Sequence, residues 1–141
     1  MGRIVAIDYG QKRVGLAVSD TLQLIANGLT TEPSDRVVDF LVNYTLREAV
    51  DLFVVGYPKQ LNNEPSENLK RVEAFVKQLY SALPDIPVAY YDERFTSTLA
   101  HRAMLDGGLR KKKRQDKALA DEISAVFILQ SYLESTKYKK I

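Results

Sequence analysis

Apolar residues recur along the chain with two different periods, and the change from one period to the other predicts an α/β fold. Residues 3–9 alternate as a buried strand does, with Asp8 on the face that holds Ile4 and Ala6. After a short polar turn, residues 14–19 alternate in the same way. Adjacent strands joined by so short a turn predict an antiparallel hairpin at the start of the domain.

Further strands and helices follow from the same two periods. Apolar runs bounded by glycine or proline predict strands, and apolar residues three or four apart predict helices. Ser34, next to Pro33, is the predicted N-cap of the first helix. The predicted strands lie at about 25–30, 52–55 and 87–91, and the predicted helices lie at 37–44, 69–79, from Thr96 or Ser97 to Leu105, and at 117–133.

The order of these elements is βββαβαβαα, which predicts a hairpin-led, three-stranded sheet extended by crossover strands. The sequence contains no repeat, no low-complexity segment and no internal linker. Residues 1–141 are therefore expected to form a single α/β domain.

The residue content narrows the possible chemistry. The chain has no cysteine and one histidine, His101, which excludes a disulfide, a thiolate nucleophile and a site with several histidines. Acid, base or metal-binding roles therefore fall to carboxylates. No apolar run is long enough to cross a bilayer and no signal-peptide core is present, so we expect no membrane association and a cytoplasmic location.

Three carboxylates occupy comparable positions in the predicted fold. Asp8 lies near the end of the first strand, and Glu93 just follows the last strand. Asp121 lies early in the final helix, on the face that also holds Ala125 and Ile128. Three acids at one rim of a sheet repel each other unless a cation joins them, and oxygen ligands favour Mg²⁺ or Mn²⁺. Such clusters are typical of metal-dependent phosphoryl transfer.

Each acid also has a simpler interpretation when it is taken alone. Asp8 would stabilise the turn at Gly10, and Asp121 would be favoured near a helix N-terminus by the helix dipole. Glu93 would be a solvated loop charge. The joint placement of all three acids favours the metal-site hypothesis.

Four segments together resemble the YqgF/RuvX family, which is related to the junction resolvase RuvC. They are DYGQKRVGLAVSD (8–20), GYP (56–58), DERFTS (92–97) and KALADEISAVFILQSYL (117–133). The resemblance implies a ribonuclease H-like fold, with a five-stranded mixed sheet flanked by helices. It also implies a metal-dependent nuclease site in which Asp8, Glu93 and Asp121 match the family's acidic residues.

The chain departs from the usual family pattern at a few positions, none of which is a candidate ligand. Phe95 and Ser97 replace the common Leu and Thr, and Ser124 replaces a common Ala. The loop LNNEPSE, after the GYP segment, lacks the glycine-containing pattern that is frequent in the family. The loop difference bears on how the substrate fits.

Basic residues near the predicted site suit a phosphodiester substrate. Lys12 and Arg13 lie in the loop that follows Asp8, and Arg94 adjoins Glu93. Cations at such positions would give sequence-independent contacts to phosphates. A run of five basic residues between the last two predicted helices would add such contacts, and its alternative interpretation is a solvated, charged segment. The run consists of Arg110, Lys111, Lys112, Lys113 and Arg114.

The leading functional hypothesis is a Mg²⁺- or Mn²⁺-dependent endonuclease that acts on structured nucleic acid. The family resemblance implies the 5′ end of precursor 16S ribosomal RNA as its target. A second hypothesis is a resolvase of four-way DNA junctions, which requires two symmetric sites and hence a dimer. A third is a non-catalytic RNA-binding factor of ribosome assembly. A fourth, an ATP phosphate loop like that of sugar kinases, needs a second domain for which the chain has no room. The expected partner is nucleic acid, and the chain itself is expected to be a monomer or weak homodimer.

Overall fold

The computed structural model describes residues 2–57, 67–92 and 117–139, which form five strands and three helices. The predicted helix that ends at Leu105 lies outside these residues. In chain order the elements are β1 Arg3–Tyr9, β2 Arg13–Ser19, β3 Ala26–Pro33, α1 Val37–Arg47, β4 Val50–Tyr57, α2 Glu67–Ala82, β5 Val88–Asp92 and α3 Lys117–Lys139.

The five strands form one mixed sheet in the order β3-β2-β1-β4-β5. β1 pairs antiparallel with β2, and β2 pairs antiparallel with β3, which confirms the predicted hairpin. β4 pairs parallel with both β1 and β5, as the crossover pattern predicts. The carboxyl ends of β1, β4 and β5 therefore share one edge of the sheet, where the β1–β2 turn also lies.

The two faces of the sheet carry separate cores, as the alternation in β1 predicts. Val5 and Ile7 face the core beneath α1 and α2. Ile4 and Ala6 face the opposite core, which α3 covers. By the same alternation Asp8, which is half-buried, lies on the face covered by α3.

The start of α1 corrects one prediction. Arg36, rather than Ser34, occupies the N-cap position, and no side chain caps the helix. The Ser34 hydroxyl instead donates a hydrogen bond of 2.7 Å to the Gln11 carbonyl oxygen, and its backbone N–H donates to the Lys12 carbonyl oxygen at 3.1 Å. β3 continues to Pro33, so Ser34 is still held beside the β1–β2 turn when the helix begins.

The turn between β2 and β3 is built around the carboxylate of Asp20. This carboxylate accepts hydrogen bonds from the backbone N–H groups of Leu22, Leu24 and Ile25 at 3.2, 2.8 and 2.9 Å. The bonds from Ile25 and Leu24 are the main causes that lower the pKa of Asp20 below its usual value of 3.8. The turn lies at the sheet edge opposite Asp8.

We expect the stabilisation by Asp20 to depend on pH. Because its pKa is lower in the folded protein than in the unfolded chain, the contribution is complete above the unfolded value and is lost as the pH falls through the folded value. The Tm difference between the wild type and Asp20→Ala should therefore be largest near neutral pH and shrink below pH 4. Thermal unfolding followed by circular dichroism at several pH values measures this, and a constant difference would contradict it.

Candidate nuclease site

Asp8 lies near the carboxyl end of the central strand, and its position in the sheet is set by pairing with β2. The β1–β2 register places Asp8 directly opposite Gly15. Residues opposed across an antiparallel ladder have Cα atoms about 4.5–5.5 Å apart. Pairing on both sides of β1 therefore gives the Asp8 backbone a fixed position next to Gly15.

At Gly15 the backbone of α3 approaches the sheet closely. A Cβ atom built at Gly15 would overlap the carbonyl oxygen of Asp121, and the backbone N of Glu122 would lie 3.0 Å from it. The backbone of α3 at Asp121 therefore rests on Gly15, one strand away from Asp8. This contact places the backbone of Asp121 next to the residue that pairs with Asp8, so the backbones of two of the three singled-out carboxylate residues lie near each other.

Hydrophobic burial holds α3 in this position. Ala125, Ile128 and Leu129 are buried against the sheet, together with Leu133. Ala125 and Ile128 share the Asp121 face of the helix, as the sequence predicts. Burial of a large aliphatic side chain contributes about 1.5–3 kcal/mol, so this core outweighs any single surface ion pair.

Arg13 contacts Asp121 directly. Its Nε donates a hydrogen bond of 3.0 Å to Asp121 Oδ2. The Arg13 side chain is 40% exposed and that of Asp121 is 29% exposed, so solvent screens the pair and it contributes at most about 1 kcal/mol. Sequence reasoning assigned Arg13 to a phosphate and did not foresee this contact, because nothing local connects residues 108 positions apart.

Lys12, the other basic residue of the turn, differs from Arg13. Its side chain is exposed, and within the described part of the chain it forms no ion pair. The two neighbouring cations therefore have different environments: Lys12 is solvated, whereas Arg13 forms an ion pair with Asp121.

The remaining predicted site residues lie outside the described residues. β5 ends at Asp92, whose backbone pairs with Tyr57 at the edge that also holds the end of β1. Glu93 is the next residue in the sequence, and neither it nor Arg94 nor the basic run 110–114 is described. Within the described ranges, no three His, Asp or Glu side chains gather as a possible metal site. Among the described helices, none is long and apolar enough to span a bilayer.

Comparison with models of protein families identifies the family of this chain. The model of the family described as "RuvX: Holliday junction resolvase" matches residues 2–135. The chain belongs to the RuvX family. This confirms the resemblance seen in the four sequence segments.

Curated relatives of this RuvX chain cover it almost completely. A protein of Parabacteroides distasonis is 69% identical over 139 residues, which are 99% of each chain. A protein of Bacteroides fragilis is 63% identical over 97% of this chain and 99% of its own. One of Flavobacterium johnsoniae is 50% identical over 98% of this chain and 100% of its own. All three carry the name "Putative pre-16S rRNA nuclease".

Solved structures confirm the ribonuclease H-like fold. Thermus thermophilus RuvC in complex with a Holliday junction substrate aligns with a TM-score of 0.61 and 17% identity, over 97% of this RuvX chain and 96% of RuvC. Another structure of the same organism's RuvC aligns with a TM-score of 0.52 and 16% identity, over 96% of both chains. At this identity the likeness bears on the fold alone.

Proposed function

We propose that this RuvX chain is a metal-dependent endonuclease that hydrolyses phosphodiester bonds in structured RNA. The observation that carries the proposal is the seating of the Asp121 backbone on Gly15, one strand from Asp8. The backbones of two acidic residues that are far apart in the sequence thereby lie near each other, at the sheet edge where open α/β sheets bind ligands. The whole of residues 1–141 is taken as one nuclease domain.

The donor set suits a hard divalent cation. Asp8 and Asp121 offer carboxylate oxygens only, which Mg²⁺ and Mn²⁺ prefer. Arg13 contacts Oδ2 of Asp121, and a carboxylate has further acceptor positions on both oxygens. We propose that Asp8, Asp121 and Glu93 hold the metal. Divalent ions in such sites activate water for attack on phosphorus and neutralise charge on the leaving oxygen.

The chain's own residues hold the reacting groups and bind the substrate. β1, paired on both sides, fixes Asp8, and the apolar core under α3 fixes Asp121. Lys12 and Arg13 offer positive charge beside the two acids. We assign Arg94 and residues 110–114 to contacts with the phosphate backbone, so binding should weaken steeply with added salt.

The names of the curated relatives support the 5′ end of precursor 16S ribosomal RNA as the substrate. The family description supports a second candidate, the four-way DNA junction. Symmetric cleavage of a junction needs two active sites in one dimer, whereas maturation of an RNA end needs only one site. We propose the RNA substrate because the highly identical relatives, which match this chain over nearly their full lengths, are named as pre-16S rRNA nucleases.

A direct comparison of the two substrates tests the proposal. Purified protein is incubated with precursor 16S RNA and with a four-way junction, each in Mn²⁺ and in EDTA, and the products are mapped at nucleotide resolution. We expect RNA cleavage at the mature 5′ end in Mn²⁺ and none in EDTA. Paired, symmetric nicks in the junction with intact RNA would favour the resolvase. Tight RNA binding without any cleavage would favour the non-catalytic assembly factor.

A further inference from the structure

The contact between Arg13 and Asp121 places a positive charge where the proposed metal would need a ligand. Arg13 Nε lies 3.0 Å from Asp121 Oδ2. A guanidinium and a divalent ion attract the same carboxylate and repel each other. A divalent ion held by Asp121 would therefore weaken the ion pair between Asp121 and Arg13.

Arg13 is well placed to change partners. Both side chains of the pair are partly exposed, at 40% and 29%, so the pair is weak. The guanidinium has five N–H donors, and its terminal groups suit phosphate oxygens. Arg13 also lies on the same face of β2 as Gly15, which opposes Asp8, so an RNA phosphate near the two acids is within its reach.

We propose that Arg13 is an exchangeable counter-cation: it neutralises Asp121 in the metal-free protein and moves to a phosphate of the RNA when the metal binds. This inference rests on the proposed function. It makes Arg13 a phosphate contact only in the metal-loaded state, whereas Lys12, which is exposed and forms no ion pair among the described residues, is a phosphate contact in both states.

RNA binding by Arg13→Gln and by the matched control Lys12→Gln tests the exchange. Affinity for precursor RNA is measured over a range of salt concentrations in EDTA and in Ca²⁺, with gels to verify that the RNA stays intact. For Arg13→Gln, the magnitude of the negative slope of log affinity against log salt should fall by about one in Ca²⁺ and stay unchanged in EDTA. For Lys12→Gln it should fall by about one in both conditions. Equal losses by Arg13→Gln in both conditions would overturn the proposal.

Binding of Mn²⁺ to the free protein, followed by electron paramagnetic resonance, provides a second readout. Loss of the competing cation should make Arg13→Gln bind Mn²⁺ about three- to five-fold more tightly than wild type, and Arg13→Lys should bind like wild type. Weaker binding by Arg13→Gln would show that Arg13 orients Asp121 as a fixed partner. Unchanged binding with a lowered Tm would show a structural ion pair. Both results overturn the exchange, while absence of cleavage by the wild type would instead refute the nuclease.

Discussion

Asp8→Asn is expected to abolish RNA cleavage and to leave the fold intact. The substitution keeps the size of the side chain and its place opposite Gly15, but removes the negative charge proposed to hold the metal. Loss of a direct ligand should lower the cleavage rate by more than about 100-fold, since even the loss of a group that only supports a ligand costs 10- to 100-fold. Single-turnover cleavage in Mn²⁺ measures the rate, and circular dichroism verifies the fold.

Asp39→Asn is the matched control for this experiment. Asp39 is exposed in the first turn of α1, and α1 packs on the face of the sheet opposite α3. The same change of charge there should leave cleavage unaltered. Wild-type, metal-dependent cleavage by Asp8→Asn would remove the basis of the metal-site assignment. Glu93→Gln should resemble Asp8→Asn, because groups that act as one unit give similar and non-additive losses.

Gly15→Ala should lower both stability and activity. The added Cβ would overlap the Asp121 carbonyl oxygen, which belongs to a helix backbone and has no rotamer to change. Overpacking of this kind costs about 1–3 kcal/mol, of which the reduced freedom of the unfolded chain offsets about 0.4–1 kcal/mol. Relief requires α3 to move away from β2, which separates Asp121 from Asp8. Urea unfolding and the cleavage rate should therefore both change.

Gly28→Ala is the matched control for Gly15→Ala. It distinguishes a general effect of replacing a strand glycine from a specific effect on the contact between Gly15 and α3. A Cβ at Gly28 would overlap the carboxylate end of Glu122, a flexible side chain that rotates away at little cost. We expect its free energy of unfolding to lie within about 1 kcal/mol of wild type and its cleavage rate to be unchanged. Equal behaviour of the two alanine variants would show that the contact at Gly15 does not control the site.

The alternation of apolar residues predicted the strands β1 and β2 and which face of the sheet each residue occupies. A strand that separates two cores must alternate its apolar residues between them, and Val5 and Ile4 go to opposite cores as expected. The short polar turn likewise required a hairpin. The residues at which helices and strands end were harder to predict. α3 continues to Lys139, beyond the predicted Leu133, because the polar residues that follow contain no glycine or proline to stop a helix.

The sequence marked candidate site residues only where a charged residue interrupts an apolar pattern. Asp8 and Asp121 stood out because each is a charge on a face that is otherwise apolar, next to Ala6 in β1 and to Ala125 in α3. The partner of Arg13 was not predictable, since that contact depends on how α3 crosses β2. The close approach of α3 to β2 did have a sequence signal, however. Gly15 and Ala17 lie on the same face of β2, and small residues permit close approach of a neighbouring backbone. The metal-binding roles of Asp8, Glu93 and Asp121 all stay predictions.

The contact of α3 with the β1–β2 hairpin has a consequence for synthesis on the ribosome. The hairpin is translated before α3, so a growing chain carries Asp8 long before Asp121 can join it. The apolar face of Ile4, Ala6 and Ala17 also lacks its cover until α3 emerges. Nascent and prematurely terminated chains should therefore be unable to cut RNA and should be prone to aggregate or to recruit chaperones.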